Sequence, residues 1–393
     1  MPIPLFDLTR QNDALMEELT DASTRVLRSG QFILGKEMEA LEAEAAALLG
    51  AERSLAVSSG TDALLLALMA AGIGPGDEVI VPDFTFFATA GCVARTGARP
   101  VFVDICPLCF NLLPEAVEAA LTERTKAILP VHLFGQSADM KSLMAIAEKA
   151  GVKVIEDCAQ SIGAKHHGTA TGCFGDFAAI SFFPTKNLGG FGDSGLLLAK
   201  AEADFDRAKI LRVHGMEPKY YHPEIGANFR MDALQAALLR VKIPHLSSYN
   251  EARRGNADHY KQTLADHSDV WLPTTTGDCP FRGECNCKDE PEARLILPFT
   301  YSHNEVIWNQ FTVRILGSGQ REDFRAHLQK DGIGSEIYYP LPLSQQECFQ
   351  PYKPAECPNA ARVAKECVSL PIFPELREEE RETVVKSILG WLG

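Results

Sequence analysis

Three groups of residues in this chain carry side chains or backbone whose chemistry is complementary. Lys186, in Ser181-Phe182-Phe183-Pro184-Thr185-Lys186-Asn187, offers an amine. Asp157, in Val154-Ile155-Glu156-Asp157-Cys158-Ala159-Gln160, offers a carboxylate at the end of an apolar stretch. Ser58-Ser59-Gly60-Thr61, ahead of Asp62-Ala63-Leu64-Leu65, offers the free amides of a helix start. A lysine that holds an aldehyde as a Schiff base, an acid that keeps a ring nitrogen protonated and a cup of amides for a phosphate are the parts of a pyridoxal 5′-phosphate pocket.

Each part also has a plainer reading. The Gly60-Thr61 turn could be only a capped helix start with Ser59 or Thr61 as cap, yet free amides there also suit a phosphate dianion. Strand alternation sends Glu156 and Asp157 to opposite faces, so only one can meet the pocket. Asp157 is assigned the ring nitrogen, Glu156 a structural role, and Gln160 the ring's phenolate oxygen. Most lysines are solvated, and Lys186 could be too. If it sits beside the cofactor, burial should depress its pKa, and once displaced it can carry a proton between substrate and cofactor carbons. Ser181 is expected to add a hydroxyl to the phosphate. Phe86, in Asp83-Phe84-Thr85-Phe86-Phe87, is the choice for a ring platform, although any one of these phenylalanines taken singly reads as core.

These residues need a scaffold that brings strand ends together. The first two thirds alternate apolar strands (55–57, 78–81, 101–104, 127–131, 152–156, 178–182, 195–199) with helices (37–49, 63–71, 114–121, 140–150), the pattern of a mainly parallel sheet covered on both faces. Ligands of such sheets lie at the carboxyl ends of the strands. After a helix over 232–241 the pattern changes to a polar helix over 250–264 and then strands mixed with helices. The expectation is an α/β large domain over 1–245, with an N-terminal arm, and a smaller C-terminal α+β domain over 246–393. Thr274 to Glu292 shows no apolar period and reads as a surface loop.

Composition narrows the class. The chain has 393 residues, 46% of them hydrophobic, enough for a large core, and its 38 Lys and Arg against 52 Asp and Glu give a net charge of −14. No basic cluster stands against that background, so nucleic acid is not expected as a partner. Uncharged runs fall short of the roughly 20 residues of a membrane helix. The start lacks a secretory pattern, and a cytoplasmic setting with reduced thiols is expected for the 11 cysteines. Cys106 with Cys109, and Cys279 with Cys285 and Cys287, have short spacings but lack a second ligand pair or a nearby His, so no metal is expected. Gly72-Ile73-Gly74-Pro75-Gly76 precedes its strand, which argues against a dinucleotide fold.

The motifs Ser59-Gly60-Thr61-Asp62-Ala63, Pro82-x-x-Thr85-Phe86-x-Ala88-Thr89, Glu156-Asp157-x-Ala159-Gln160 and Ser181-Phe182-x-x-x-Lys186-Asn187 occur in order. With Arg212-x-His214-Gly215, Asn228-x-Arg230-Met231-Asp232 and Tyr339-Pro340-x-Pro342-Leu343, they resemble the DegT-type nucleotide-sugar aminotransferases over nearly the whole chain. The resemblance implies a fold-type I pyridoxal-phosphate transferase that takes nitrogen from an amino-acid donor, glutamate, and delivers it to a keto nucleotide-sugar. It also implies a homodimer with shared sites, in which Asn228 matches the phosphate ligand lent by the other subunit; by itself Asn228 could as well cap the helix near Asp232. Phe86 stands where relatives often have Trp or Tyr. Tyr338 and Ser344 stand where many have His, in the segment expected to face the sugar. The stretches 30–35 and 336–340 read closer to members that aminate the third carbon than the fourth. A dehydratase of this fold would carry histidine in place of Lys186, and an idle regulatory relative would not need Asp157, Gln160 and Lys186 intact.

Overall fold

The computed structural model describes residues 2–273 and 293–393. The Thr274 to Glu292 loop and Cys279, Cys285 and Cys287 lie outside the described residues.

The large unit is a seven-stranded sheet in the order 54–57, 195–199, 177–181, 153–157, 125–128, 78–82, 99–103. Only Gly195–Ala199 runs against its neighbours; the other pairings are parallel. Strands buried on both faces read as continuous apolar runs, and Ser54–Val57, Phe177–Ser181 and Gly195–Ala199 are buried throughout. Helix Gly60–Ala70 covers one face with an almost unbroken apolar sequence. Helices Lys36–Leu49 and Ala233–Lys242 cover the region around Ala56, Ala178 and Leu196 on the other face.

A second, four-stranded sheet in the order 270–271, 295–296, 311–315, 367–370 forms the C-terminal unit, with helices Leu246–Leu264, Gln320–Lys330 and Glu378–Leu392 closing its core. The long polar helix begins at Leu246 instead of Asn250, because the short 3-10 turn Ile243–His245, carrying Pro244 in its first turn, runs directly into it. We propose that the units divide at 245/246, where that turn ends. The N-terminal arm reaches the C-terminal unit: Ile3 is bridged to Ile333 and buried in its core.

The strand expectations fall on observed strands to within a few residues, but the two-residue pair Lys165–His166 and Thr169–Ala170, joined by Asn304–Glu305, carries no pattern long enough to read. Among the described residues no helix is long and apolar enough to cross a membrane. Among the described residues no two cysteines are joined in a disulfide, Cys106 and Cys109 included.

Candidate active site

The parallel strands end at one edge of the large sheet, and a cavity of about 390 Å³ opens there. Its walls include Gly60, Thr61, Phe86, Asp157, Gln160, Ser181 and Lys186. Seven of the eight residues singled out for cofactor contact or catalysis therefore share one cavity. The eighth, Asn228, is exposed and lies off that wall, on an isolated bridge to Val213. It does not cap the helix that starts after Asp232.

Helix Gly60–Ala70 supplies the amide cup. Ser59 caps it by accepting a 3.0 Å hydrogen bond from the Asp62 amide, and Ser58 Oγ donates to Asp62 Oδ2 at 2.6 Å. The first amides, Gly60 and Thr61, have no intrahelical acceptor, and the helix dipole adds positive potential there. Glycine is required at position 60 because a Cβ would lie 2.7 Å from the Ser181 Cβ. Ser181 is thus pressed against the cup, its Oγ accepting a 3.2 Å bond from the Phe183 amide.

Adjacent acids on one strand do different work. Glu156 faces inward, fully buried, and accepts from the amides of Gly172, Phe174 and Gly175 at 2.8–2.9 Å. It also meets His132 Nε2 at 3.0 Å, while His132 Nδ1 accepts from the Ala138 amide, so the Nε2–H is the donor to Glu156. Asp157 faces the cavity. It accepts from Thr89 Oγ1 at 2.8 Å and from the Ala159 amide at 3.1 Å, and burial raises its pKa against the pull of those two bonds and of Lys186 and His132. A buried carboxylate held by so few donors is poised for a cationic partner.

Lys186 lies across the same cavity, and burial lowers its ammonium pKa to about 8, with only the attraction of Asp157 opposing. About a tenth of such an amine is neutral and nucleophilic at pH 7, against far less than a hundredth for an ordinary lysine. Gln160 is held at both ends: Oε1 accepts from the Phe134 amide at 2.7 Å and Nε2 donates to the Tyr339 hydroxyl at 3.2 Å. Of the three phenylalanines, Phe84 is core, Phe87 stacks on Phe349, and only Phe86 lines the cavity, with its ring 6.1 Å from that of Tyr339.

Residues without an assigned role also reach the cavity. Tyr339, Tyr338 and Gln310 come from the C-terminal unit, and Asp193 from the loop after Lys186. Gln310 is buried and its Oε1 has no hydrogen-bond partner among the described residues. Thr89 was legible as a motif member, but its bond to Asp157 is a long-range contact. Of the two positions in the segment expected to face the sugar, Tyr338 lines the cavity and Ser344 does not. The Ser344 amide and hydroxyl both donate to the buried Asp83 carboxylate, at 2.6 and 2.7 Å, because the turn after Pro342 folds back over the strand ending at Pro82.

The donor set fits pyridoxal phosphate: an amide cup, a buried acid that accepts only two hydrogen bonds among the described residues, and a lysine with a depressed pKa around one cavity. Two groups of possible metal ligands occur among the described residues, His166 with His167 and His303, and His132 with Glu156 and Cys158. Both ring nitrogens of His132 are engaged as above, and those of His166 meet Asn304 Oδ1 and the Lys141 amide.

Known proteins resemble this chain over nearly its whole length. The sequence signature of the DegT/DnrJ/EryC1/StrS aminotransferase family matches residues 13–281 and 288–389. The chain is 44% identical to a pleiotropic regulatory protein of Geobacillus stearothermophilus, covering 99% of this chain and 98% of that protein. It is 43% identical to a UDP-N-acetyl-3-dehydro-alpha-D-glucosamine 3-aminotransferase of Acidithiobacillus ferrooxidans, covering 96% and 95%. The crystal structure of Streptomyces venezuelae DesV in complex with a ketimine intermediate superposes with a TM-score of 0.90 at 38% identity, covering 99% and 98%.

Proposed function

Because the chain belongs to the DegT/DnrJ/EryC1/StrS aminotransferase family, a pyridoxal-phosphate-dependent group, we propose that it transfers the amino group of an amino-acid donor, glutamate, to the ketone of a nucleotide-linked sugar. The observation that carries this reading is that Lys186, Asp157 and the helix start at Gly60 and Thr61 line one cavity. When bound, the cofactor supplies an electron sink and a temporary carrier for nitrogen. The Gly60 and Thr61 amides and the Ser181 hydroxyl hold its phosphate. Asp157 holds the proton on the ring nitrogen, Gln160 bonds the ring hydroxyl oxygen, and Phe86 covers a ring face. Lys186 Nζ takes a proton from the substrate carbon in one half-reaction and returns one in the other. Similar relatives act at the third sugar carbon by name, the Acidithiobacillus aminotransferase and a Streptomyces venezuelae dTDP-3-amino-3,4,6-trideoxy-alpha-D-glucose transaminase among them, and we assign the ketone to that position.

The active species in this proposal is a homodimer in which Asn228 reaches the phosphate of the neighbouring subunit's site. Asn228 is exposed off its own cavity, and Phe32, Ile33, Phe183, Phe191 and Ile225 are large apolar side chains left in solvent by a single chain. A cytoplasmic setting belongs to the same reading and agrees with the lack of disulfides among the described cysteines.

Adding glutamate to the purified protein should convert the absorption of lysine-bound cofactor to that of the pyridoxamine form, and keto nucleotide-sugars should reverse it. A protein that binds the cofactor but converts it with no amino acid would be an idle relative. Mixed dimers of K186A and N228A chains should regain activity that neither variant has alone, since one of their two sites is intact; no recovery would argue against sharing.

A further inference from the structure

Asn187, next to the lysine, points away from the cavity into a buried amide cluster. Its Nδ2 donates to Asn250 Oδ1 at 2.7 Å and to the Ile307 carbonyl at 2.9 Å, and its Oδ1 accepts from Asn309 Nδ2 at 2.8 Å. All three asparagines are at most 4% exposed. Asn250 Nδ2 in turn donates to the Ile162 carbonyl at 3.2 Å and lies against Gly163, where a Cβ would come within 2.8 Å of it. Arg253, one turn further along the same helix, holds the Trp308 carbonyl at 3.1 Å. The cluster therefore ties together the lysine loop, the loop that follows Asp157, the helix Leu246–Leu264 and the 307–309 segment leading to the cavity residue Gln310.

The rest of the lysine loop is pinned from the other side. Lys242 Nζ donates to the Gly189 carbonyl at 3.1 Å, the Phe191 amide to Gln235 Oε1 at 2.9 Å and the Gly190 amide to the Phe182 carbonyl at 2.7 Å. A loop held at 187, 189, 190 and 191 leaves the Lys186 side chain as the part able to move.

We propose that Asn187, clamped by Asn250 and Asn309, is a positioning residue that fixes the root of Lys186 and keeps its amine buried in the cavity it shares with Asp157. The proposal rests on the reading of Lys186 as the cofactor's lysine. Its physical content is desolvation. Truncating Asn187 leaves the Asn250 and Ile307 oxygens and the Asn309 amide without their partner; the loop loosens and water reaches Nζ. A solvated amine returns toward its ordinary pKa and is protonated at neutral pH. The other ionisable groups on the cavity wall are Asp157, Asp193, Tyr338 and Tyr339, and none belongs to the cluster.

The test is the pH profile of cofactor capture. The full-length chain is stripped of cofactor, pyridoxal phosphate is added, and the rate at which the lysine-bound absorption grows is followed from pH 6.5 to 10. Wild type should show a midpoint near 8, the value to which burial brings Lys186. N187A and N309A should shift it upward, each unit slowing capture at pH 7 about tenfold. N256A is the control. Asn256 is equally buried on the same helix and bonded to the Phe373 carbonyl and Arg381, so it should lose thermal stability without moving the midpoint. If N187A does not fold, N309A, which removes a single bond to Asn187, decides. Clamp variants that keep the wild-type midpoint and lose only stability overturn the proposal. Borohydride fixation separates the two levels: a wild-type label on a peptide without Lys186 overturns the lysine assignment itself, whereas a label on Lys186 with unshifted variants overturns only the clamp.

Discussion

Thr89 Oγ1 donates a 2.8 Å hydrogen bond to Asp157 Oδ2, joining the first turn of helix Ala88–Arg95 to the end of the strand Lys153–Asp157. That bond lowers the Asp157 pKa against the larger effect of burial. T89V should let the carboxyl rise further and weaken its hold on the ring-nitrogen proton. We expect kcat to fall about tenfold, equivalent to about 1.4 kcal/mol, with the cofactor still bound. Unchanged kcat would mean that the Ala159 amide alone suffices.

Asp157 and Glu156 should separate cleanly in a mutant pair. D157N is expected to keep fold and cofactor while kcat drops at least about 100-fold, since a neutral amide cannot stabilise the ring cation. E156Q turns an NH₂ toward backbone donors and should cost about 2–3 kcal/mol in urea denaturation while leaving more turnover than D157N. If E156Q were the more damaging to kcat, the roles of the two acids would be exchanged.

Tyr339 holds Gln160 Nε2 through its hydroxyl oxygen at 3.2 Å. Y339F removes that acceptor and lets the Gln160 amide swing. The expected result is a three- to tenfold loss, by about 1 kcal/mol, in kcat, with a shifted cofactor absorption as the independent readout. An unshifted spectrum would disconnect Tyr339 from the ring.

Lys261 gives a pH prediction whose sign follows from its burial. Its Nζ donates to Thr300 Oγ1 at 2.7 Å and sits 4.5 Å from the Trp308 ring centre, and burial lowers its pKa from 10.5 to about 8. Below 8 both states are protonated and the cost of burying the charge is fully present. Between 8 and 10.5 the unfolded chain binds more protons than the folded one, so this group's contribution to stability rises with pH. The stability of wild type relative to K261M should therefore be flat below pH 8 and climb above it in denaturant titrations. A flat difference up to pH 10 would show a solvated amine.

The local sequence determined the candidate groups and their placement on strand ends and loops. The apolar run into Glu156 and Asp157, the small-residue turn at Gly60 and the strand before Lys186 each encode their own secondary structure, and a mainly parallel sheet sends such ends to one edge. Alternation put the two acids on opposite faces, and of the two Asp157 lines the cavity while Glu156 is bonded within the core. What it left open are relations between distant positions. Tyr339 and Gln310 reach the cavity, and Asn250 and Asn309 reach Asn187, from 63 to 179 residues away in sequence from the groups they join. Ser344 was drawn toward Asp83 and off the cavity by a fold-back that no local pattern signals. A side chain's type and its strand or helix are properties of a few neighbouring residues. Which buried donor meets which acceptor is decided only when the two sheets and their loops pack, because each buried polar group then takes the partner that the whole fold places within reach.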